Sequence, residues 1–187
     1  NHSTLWTSLK NLGAMLDSNL NMKSHVSSVV KKASFHLRNI GKVRNLLNEQ
    51  ATKKVMQSLV MSRLDYCNGL LAGIQQDTVA KLQRLQNSAA RIVTRTRKYE
   101  HISPILSDLH WLPVKFRIDF KILLTVYKAL HGLAPVYITE LLVPYQPKRN
   151  LRSATKELLV EPKTRLKAGE RAFSNYAPRQ WNSLHKN

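Results

Sequence analysis

The sequence predicts a mainly α chain: a three-helix bundle, a smaller helical extension and a loosely ordered basic tail, preceded by a short N-terminal strand. Three observations carry that prediction. Apolar residues recur at spacings of three and four over three successive stretches between residues 21 and 98. Short turns join these stretches, so their apolar faces find cover only against one another or a neighbour. Beyond Pro144 the regularity fades as proline and basic residues accumulate. At 187 residues and 43% hydrophobic, the chain can supply a core. The boundaries expected are 1–20 for the strand and its turn, 21–98 for the bundle, 99–143 for the extension and 144–187 for the tail.

Leu5 to Leu16 alternates weakly before Asp17-Ser18-Asn19, which reads as one strand and a turn whose sheet partners lie upstream. Helix one opens at Asn21 as N-cap, carries Met22, Val26, Val29, Ala33, Leu37 and Ile40 on one face, and ends near Gly41. A second helix opens at Asn48, with Glu49 in its first turn, and stops by Asn68-Gly69. The third is capped by Asp77, buries Val79, Leu82, Leu85, Ala89, Ile92 and Val93, and runs into the basic Thr94 to Lys98 end. Ser103-Pro104 and Leu112-Pro113 mark helix starts, where the missing proline N–H does no harm. The second of these leads through Phe116, Phe120, Leu123, Tyr127 and Leu130 to a glycine stop at Gly132. A short helix follows from Pro135 to about Leu142. In the tail, Phe173, Tyr176, Trp181 and Leu184 form an aromatic anchor able to dock.

Lys and Arg number 30 against 11 Asp and Glu, a formal charge of +19 that repels itself in the compact state unless a polyanion neutralises it. Phosphate backbones suit that role, because neutralising them releases condensed counterions. An anionic membrane surface or an acidic protein is the alternative. Lys31, Lys32, Arg38, Lys42 and Arg44 lie along or just past helix one, mostly off its apolar stripe. Lys81, Arg84, Arg91, Arg95, Arg97 and Lys98 occur on and after helix three with no acid between Thr78 and Tyr99. These eleven cations are the candidate nucleic-acid contacts, with an ordinary solubilising face as the plainer explanation. The terminal cluster Lys148, Arg149, Arg152, Lys156, Lys163, Arg165 and Lys167 is less specific. Tyr99, His101, His110 and Trp111 offer either a base-stacking platform or, for Trp111, core packing.

No catalytic site is expected. Two-metal phosphoryl transfer needs carboxylates converging on ions roughly 4 Å apart, and no two acids are adjacent in this sequence. A phosphate-cradling glycine loop is absent, the seven histidines lack metal-ligand spacing, and the single Cys67 leaves no zinc knuckle or disulfide framework. No cofactor is therefore expected. No apolar run approaches the ~20 residues that cross a bilayer, and the N-terminus has no secretory pattern. An intracellular location, nucleus or cytoplasm, is expected, with no membrane partner. Asn1 is not an initiator methionine, which reads as a start partway through a longer reading frame.

Four runs are distinctive together: SRLDYCNGLLAG (Ser62 to Gly73), LQRLQNSAARIV (Leu82 to Val93), HWLPVKFRIDFKILLTVYKALHGLAPVY (His110 to Tyr137) and GERAFSNYAPRQWNSL (Gly169 to Leu184). They resemble the region after the palm in reverse transcriptases of LINE-type, non-LTR retrotransposons of the LINE-2 and chicken-repeat-1 kind. LGAMLD (Leu12 to Asp17) resembles the strand that ends that palm. The resemblance covers nearly the whole chain. It implies that residues 21–98 are the thumb, gripping template and primer, and that the remainder is the C-terminal extension. It also implies that the metal-binding palm, the fingers and an endonuclease lie upstream in the same polyprotein, so no catalytic residue transfers to this chain. The partner implied is RNA or an RNA–DNA duplex, together with the upstream palm and fingers. Related elements carry a Cys/His knuckle after the polymerase; this sequence lacks one, so zinc-assisted RNA binding does not transfer. The competing expectation is a helical interaction module that docks on the parent polymerase or another partner.

Overall fold

A computed structural model describes residues 8–147 and 157–184. It is mainly helical, with a small two-stranded antiparallel sheet at the N-terminus. By packing density the chain divides into two units, Asn1–Arg117 and Ile118–Asn187.

The first unit begins with a hairpin where a single strand was expected. Strands β1 (Ser8–Asn11) and β2 (Ala14–Asp17) pair with Ser8 opposite Asp17 and Asn11 opposite Ala14. Leu12 and Gly13, with φ of 44° and 85°, form the two-residue loop. Two successive left-handed residues give the turn whose twist matches that of the strands, and Gly13 takes its share without strain. The expected strand thus finds its partner within the chain; Leu5 to Thr7 lie outside the described residues.

Asp17 then receives Asn21 N–H at 2.9 Å and Met22 N–H at 2.8 Å on its two carboxylate oxygens, and Asn21 Oδ1 accepts Lys23 N–H at 2.9 Å. Two side chains therefore serve the start of helix α1 (Lys23–Val43), where Asn21 alone was expected. Gly41 does not end α1. It lies inside it, where a Cβ would stand 3.7 Å from Ile92 Cδ1, and the chain continues into a 3-10 turn at Arg44–Leu46.

Asn48 caps helix α2 (Glu49–Met56) by accepting Ala51 N–H at 2.8 Å, as its position predicts. A π-turn at Gln57–Met61 passes into α3 (Ser62–Asp65), so the expected second helix is continuous but widened at its centre. Helix α4 (Gln76–Thr94) follows a 3-10 turn at Asn68–Leu71 and a short loop, with Gln75 at the cap position, where Asp77 was expected, and Asp77 inside the first turn, where its charge suits the helix dipole. The buried residues Val26, Ala33 and Ile40 of α1, Met56, Val60, Met61 and Leu64 of the middle segment, and Leu82, Leu85, Ala89 and Val93 of α4 form this unit's core. α1, α2 and α4 each pack on the other two. Helix α5 (Ile102–Asp108) follows, with Pro104 in its first turn, and Trp111 is buried. Two glutamines of α4 organise the next start: Gln83 Oε1 accepts Val114 N–H at 2.8 Å, and Gln86 Nε2 donates to Leu112 O at 2.8 Å.

Helix α6 (Val114–Leu130) crosses into the second unit, where Ile118, Ile122, Val126 and Ala129 are its buried stripe. It ends as expected at Gly132, φ 68°, with Leu133 N–H on Lys128 O at 2.7 Å. Helix α7 (Val136–Thr139) is one short turn after Pro135. Beyond it, Tyr145 N–H donates to Leu158 O and Val160 N–H to Val143 O, both at 2.8 Å, so this part of the expected loose tail is paired. Helices α8 (Lys167–Glu170) and α9 (Phe173–Ser183) close the unit. The aromatic anchor docks through Tyr176, whose hydroxyl donates to Asp119 at 2.7 Å, and the buried Trp181, whose indole donates to Glu157 O at 2.7 Å. Leu184 stays exposed.

Candidate nucleic-acid interface

The outward face of α1 is set by its core face. At 100° per residue, burying Val26, Ala33 and Ile40 turns Lys31, Phe35, Arg38 and Lys42 to the opposite side. All four are exposed, and the three cations have no hydrogen-bond or ion-pair partner among the described residues. The stripe also lacks any acid, so its ammonium and guanidinium groups are available to an external anion.

Lys32 and His36 occupy the flank of the same helix that faces the middle segment. There Arg63 of α3 donates to His36 Nε2 at 3.1 Å and, through Nε, to Leu59 O at 3.1 Å. A guanidinium has no lone pair to offer, so His36 Nε2 is the acceptor and its ring is the neutral tautomer at that atom. Ser28, Lys31, Lys32, Phe35, His36 and Arg63 line a cleft of about 660 Å³ with no carboxylate in its wall. Lys53 and Lys54 line a further groove with Gln50, Gln57 and Ser58.

Helix α4 places its cations less favourably than expected. Lys81, Arg84, Arg91 and Arg95 do share a face, since their spacings of three, seven and four keep them within one side of the helix. Lys81 and Arg84 are exposed and unengaged among the described residues. Arg91 instead folds back, donating to Arg97 O at 2.9 Å and to Glu100 O at 3.0 and 3.1 Å. Arg95 takes the left-handed C-terminal position, φ 57°, and donates to Arg44 O at 3.3 Å. Arg97 and Lys98 are exposed but belong to the loop after the helix, where Arg97 N–H bonds the Glu100 carboxylate at 3.1 Å.

Arg44 needs correction outright. It is 8% exposed, and its guanidinium donates to Ile92 O at 2.8 Å, Val93 O at 2.7 Å and Leu47 O at 2.6 Å. Ile92 O and Val93 O are carbonyls that α4 leaves unpaired at its C-terminus, so Arg44 is a helix cap supplied from another segment, and its bond to Leu47 O anchors it to its own turn. The spacing of Arg44 along the chain concealed this, because its partners are 48 and 49 residues away. Conversely, His36, Arg63, Lys53 and Lys54 escaped notice, since what recommends them is the juxtaposition of two helices distant in sequence.

The eleven cations therefore do not form one surface. α1 and α4 pack on each other and both pack on α2, which makes their outward faces diverge. Tyr99 and His101 are exposed, whereas Trp111 is buried, so these rings do not make a common platform. In the second unit Lys163, Arg165 and Lys167 are exposed; Lys148, Arg149, Arg152 and Lys156 lie outside the described residues.

The acids stand apart from one another. Asp17 serves backbone amides, Asp65 pairs with Arg117, Asp119 accepts from Tyr176, and Glu161 accepts from Asn182 at 2.8 Å. Among the described residues no group of three His, Cys, Asp or Glu side chains is placed to hold a metal ion, and no helix is long and apolar enough to cross a membrane. Comparison with protein-family models, with curated proteins and with solved structures finds no match to this chain.

Proposed function

We propose that this chain is a non-catalytic nucleic-acid-binding module, the template- and primer-gripping thumb and C-terminal extension of a LINE-type retrotransposon reverse transcriptase. The observation that carries the reading is the acid-free outward face of α1, with Lys31, Arg38 and Lys42 unpaired and the Lys32, His36, Arg63 cleft alongside. Residues spread over one helical face at this spacing track a phosphate backbone through charge and do not read bases. The partner is RNA or an RNA–DNA duplex. Lys81 and Arg84 on α4 add a second, separate patch. The dispersal of the acids supports assigning chain extension and cleavage to upstream palm and endonuclease segments.

The test is the dependence of duplex affinity on salt. Each cation that neutralises a phosphate contributes about 0.9 to the slope of log affinity against log salt on a B-form duplex. Changing Lys31, Arg38 and Lys42 together to Gln should lower that slope by about 2 to 3. A slope unchanged from the parent protein would remove α1 from the interface.

A second reading, a helical interaction module, draws on α6. Phe116, Phe120 and Tyr127 are 57%, 57% and 47% exposed along one side of it, more apolar surface than a lone solvated helix needs. Self-association at moderate salt, together with weak duplex binding, would favour that reading.

A further inference from the structure

Beside the cleft of α1 lies a half-open cavity of about 350 Å³ lined by three separate segments. The hairpin loop contributes Gly13, α1 contributes His25, Ser28, Val29 and Lys32, and the π-turn and α3 contribute Ser58, Ser62, Arg63 and Tyr66. It shares Ser28, Lys32 and Arg63 with the neighbouring cleft, so the two lie side by side. Its volume lies near the lower end of the roughly 300 to 1,000 Å³ over which small-molecule sites range.

Three of the residues that line this cavity, His25, Lys32 and Arg63, carry N–H donors. His25 is 3% exposed, and its Nδ1 accepts Met15 N–H at 3.3 Å. That bond leaves the neutral ring's proton on Nε2, for which no hydrogen bond occurs among the described residues. Lys32 brings an ammonium with no partner among the described residues, and Arg63 spends Nε and Nη2 on Leu59 and His36 while leaving Nη1 free. Ser58 and Ser62 donate backward to Lys54 O and Ser58 O, and Tyr66 donates to Leu12 O, which fixes the walls. Among the described residues no carboxylate lines the space. An imidazole N–H and two cations around a cavity with no carboxylate among its described lining residues call for a small oxyanion, and the apolar wall of Val29 and the Tyr66 ring accommodates what that anion is attached to.

We infer that this cavity is a phosphate subsite of nucleotide size, with Lys32, Arg63 and the His25 imidazole as donors to one phosphate of a nucleic-acid strand. The inference rests on the nucleic-acid reading above and refines it: the outer face of α1 holds the backbone by charge, while the cavity takes a single nucleotide.

The experiment uses the whole chain. The His25 ring signal, assigned by its loss in His25→Gln, is followed by NMR during titration with inorganic phosphate and with uridine 5′-monophosphate. Both should shift it saturably, the nucleotide at lower concentration. Lys32→Gln and Arg63→Gln should each weaken nucleotide binding about tenfold, the factor expected of one charge-assisted hydrogen bond. Arg63→Lys, which keeps the charge, should retain most of it, and Lys81→Gln should change nothing. A His25 signal indifferent to both probes, or an affinity unaffected by Lys32→Gln and Arg63→Gln, overturns the subsite. Two further arms separate the layers of the argument. If a duplex binds but its affinity ignores Lys32→Gln and Arg63→Gln, the cavity is excluded while the outer grip survives. If the nucleotide shifts His25 and no oligonucleotide binds, the nucleic-acid reading fails although the phosphate chemistry stands. A shift produced only by phosphatidylserine vesicles would assign the cavity to a lipid headgroup and overturn the nucleotide.

Discussion

Two buried cationic or titratable side chains show how differently one residue type behaves once its surroundings are known. Arg44 shares its charge with Arg38 and Lys42, yet it holds two carbonyls at the end of α4 and a third, Leu47 O, in its own turn. Arg44→Met keeps the bulk and removes the donors, and should destabilise the fold by about 3 kcal/mol, because buried carbonyls then lose partners worth more than a neutral hydrogen bond each. Chemical denaturation measures that cost; a loss within 0.5 kcal/mol, the range of ordinary surface changes, would contradict the capping role. His25 is held neutral. Burial, and secondarily the charge of Lys32, push its pKa below the usual 6.5. With the folded value depressed, the unfolded chain takes up a proton first as pH falls, so the contribution of this group to stability is complete above pH 6.5 and is lost below it, down through the folded value. His25→Gln should therefore flatten the decline in stability between about pH 7 and pH 5 relative to the parent. Equal declines in the two proteins would show that His25 titrates normally. Neither role was legible from the sequence: both depend on contacts with segments far along the chain, whereas the exposure of Lys31, Arg38 and Lys42 followed from helical periodicity alone.

Among the elements, the long helices were the most readable, because their stripes repeat often enough to define a face and their starts carry capping side chains. Asn48 capped where it stood, and Gly132 stopped α6 as its conformational freedom predicts. Errors concentrated where a non-glycine residue does a glycine's work. α4 and α5 both end with a left-handed residue, Arg95 at φ 57° and His110 at φ 56°, and Trp111 N–H still reaches back to Leu106 O at 2.8 Å. Such endings leave no trace in composition, which is why the basic run to Lys98 read as a continuation of helix three. They also carry strain, since a Cβ in this conformation costs about 1 to 2 kcal/mol. His110→Gly should thus raise the stability of the protein by about 1 kcal/mol, read as a higher denaturation midpoint with an unchanged slope. A fall in the midpoint would mean that the exposed imidazole contributes something that the helix ending does not explain. Conversely, Gly41 looked like a stop and is instead an interior position of α1, where the chain had Arg44 and a 3-10 turn with which to finish.

For the molecule as a whole, the charge of +19 is the dominant energetic fact. Only one ion pair, Arg117 with Asp65, occurs among the described residues, so most of that charge is left to repel itself. Raising the salt from about 0.05 to 0.5 M shortens the screening length several-fold and should raise the melting temperature, the reverse of the effect expected on duplex affinity under the proposed function. A melting temperature that falls with salt would mean that attractive pairs outweigh the repulsion. Periodicity and proline placement announced the mainly helical character of the chain, but not the pairing of 143–145 with 158–160, because each stretch is too short and too irregular to announce a strand. That pairing has a further consequence. Leu158 O and Val160 N–H face one neighbour, while Leu159 N–H and Leu159 O are both taken by the carboxamide of Asn182, at 2.9 and 2.8 Å. Alternate backbone groups of an extended stretch point to opposite sides, so the side chain of α9 occupies the rim that a strand from another molecule would otherwise seize. A single amide thus covers the rim of this extended pair and leaves its edge closed to a second copy of the chain even when salt screens the charge that keeps copies apart.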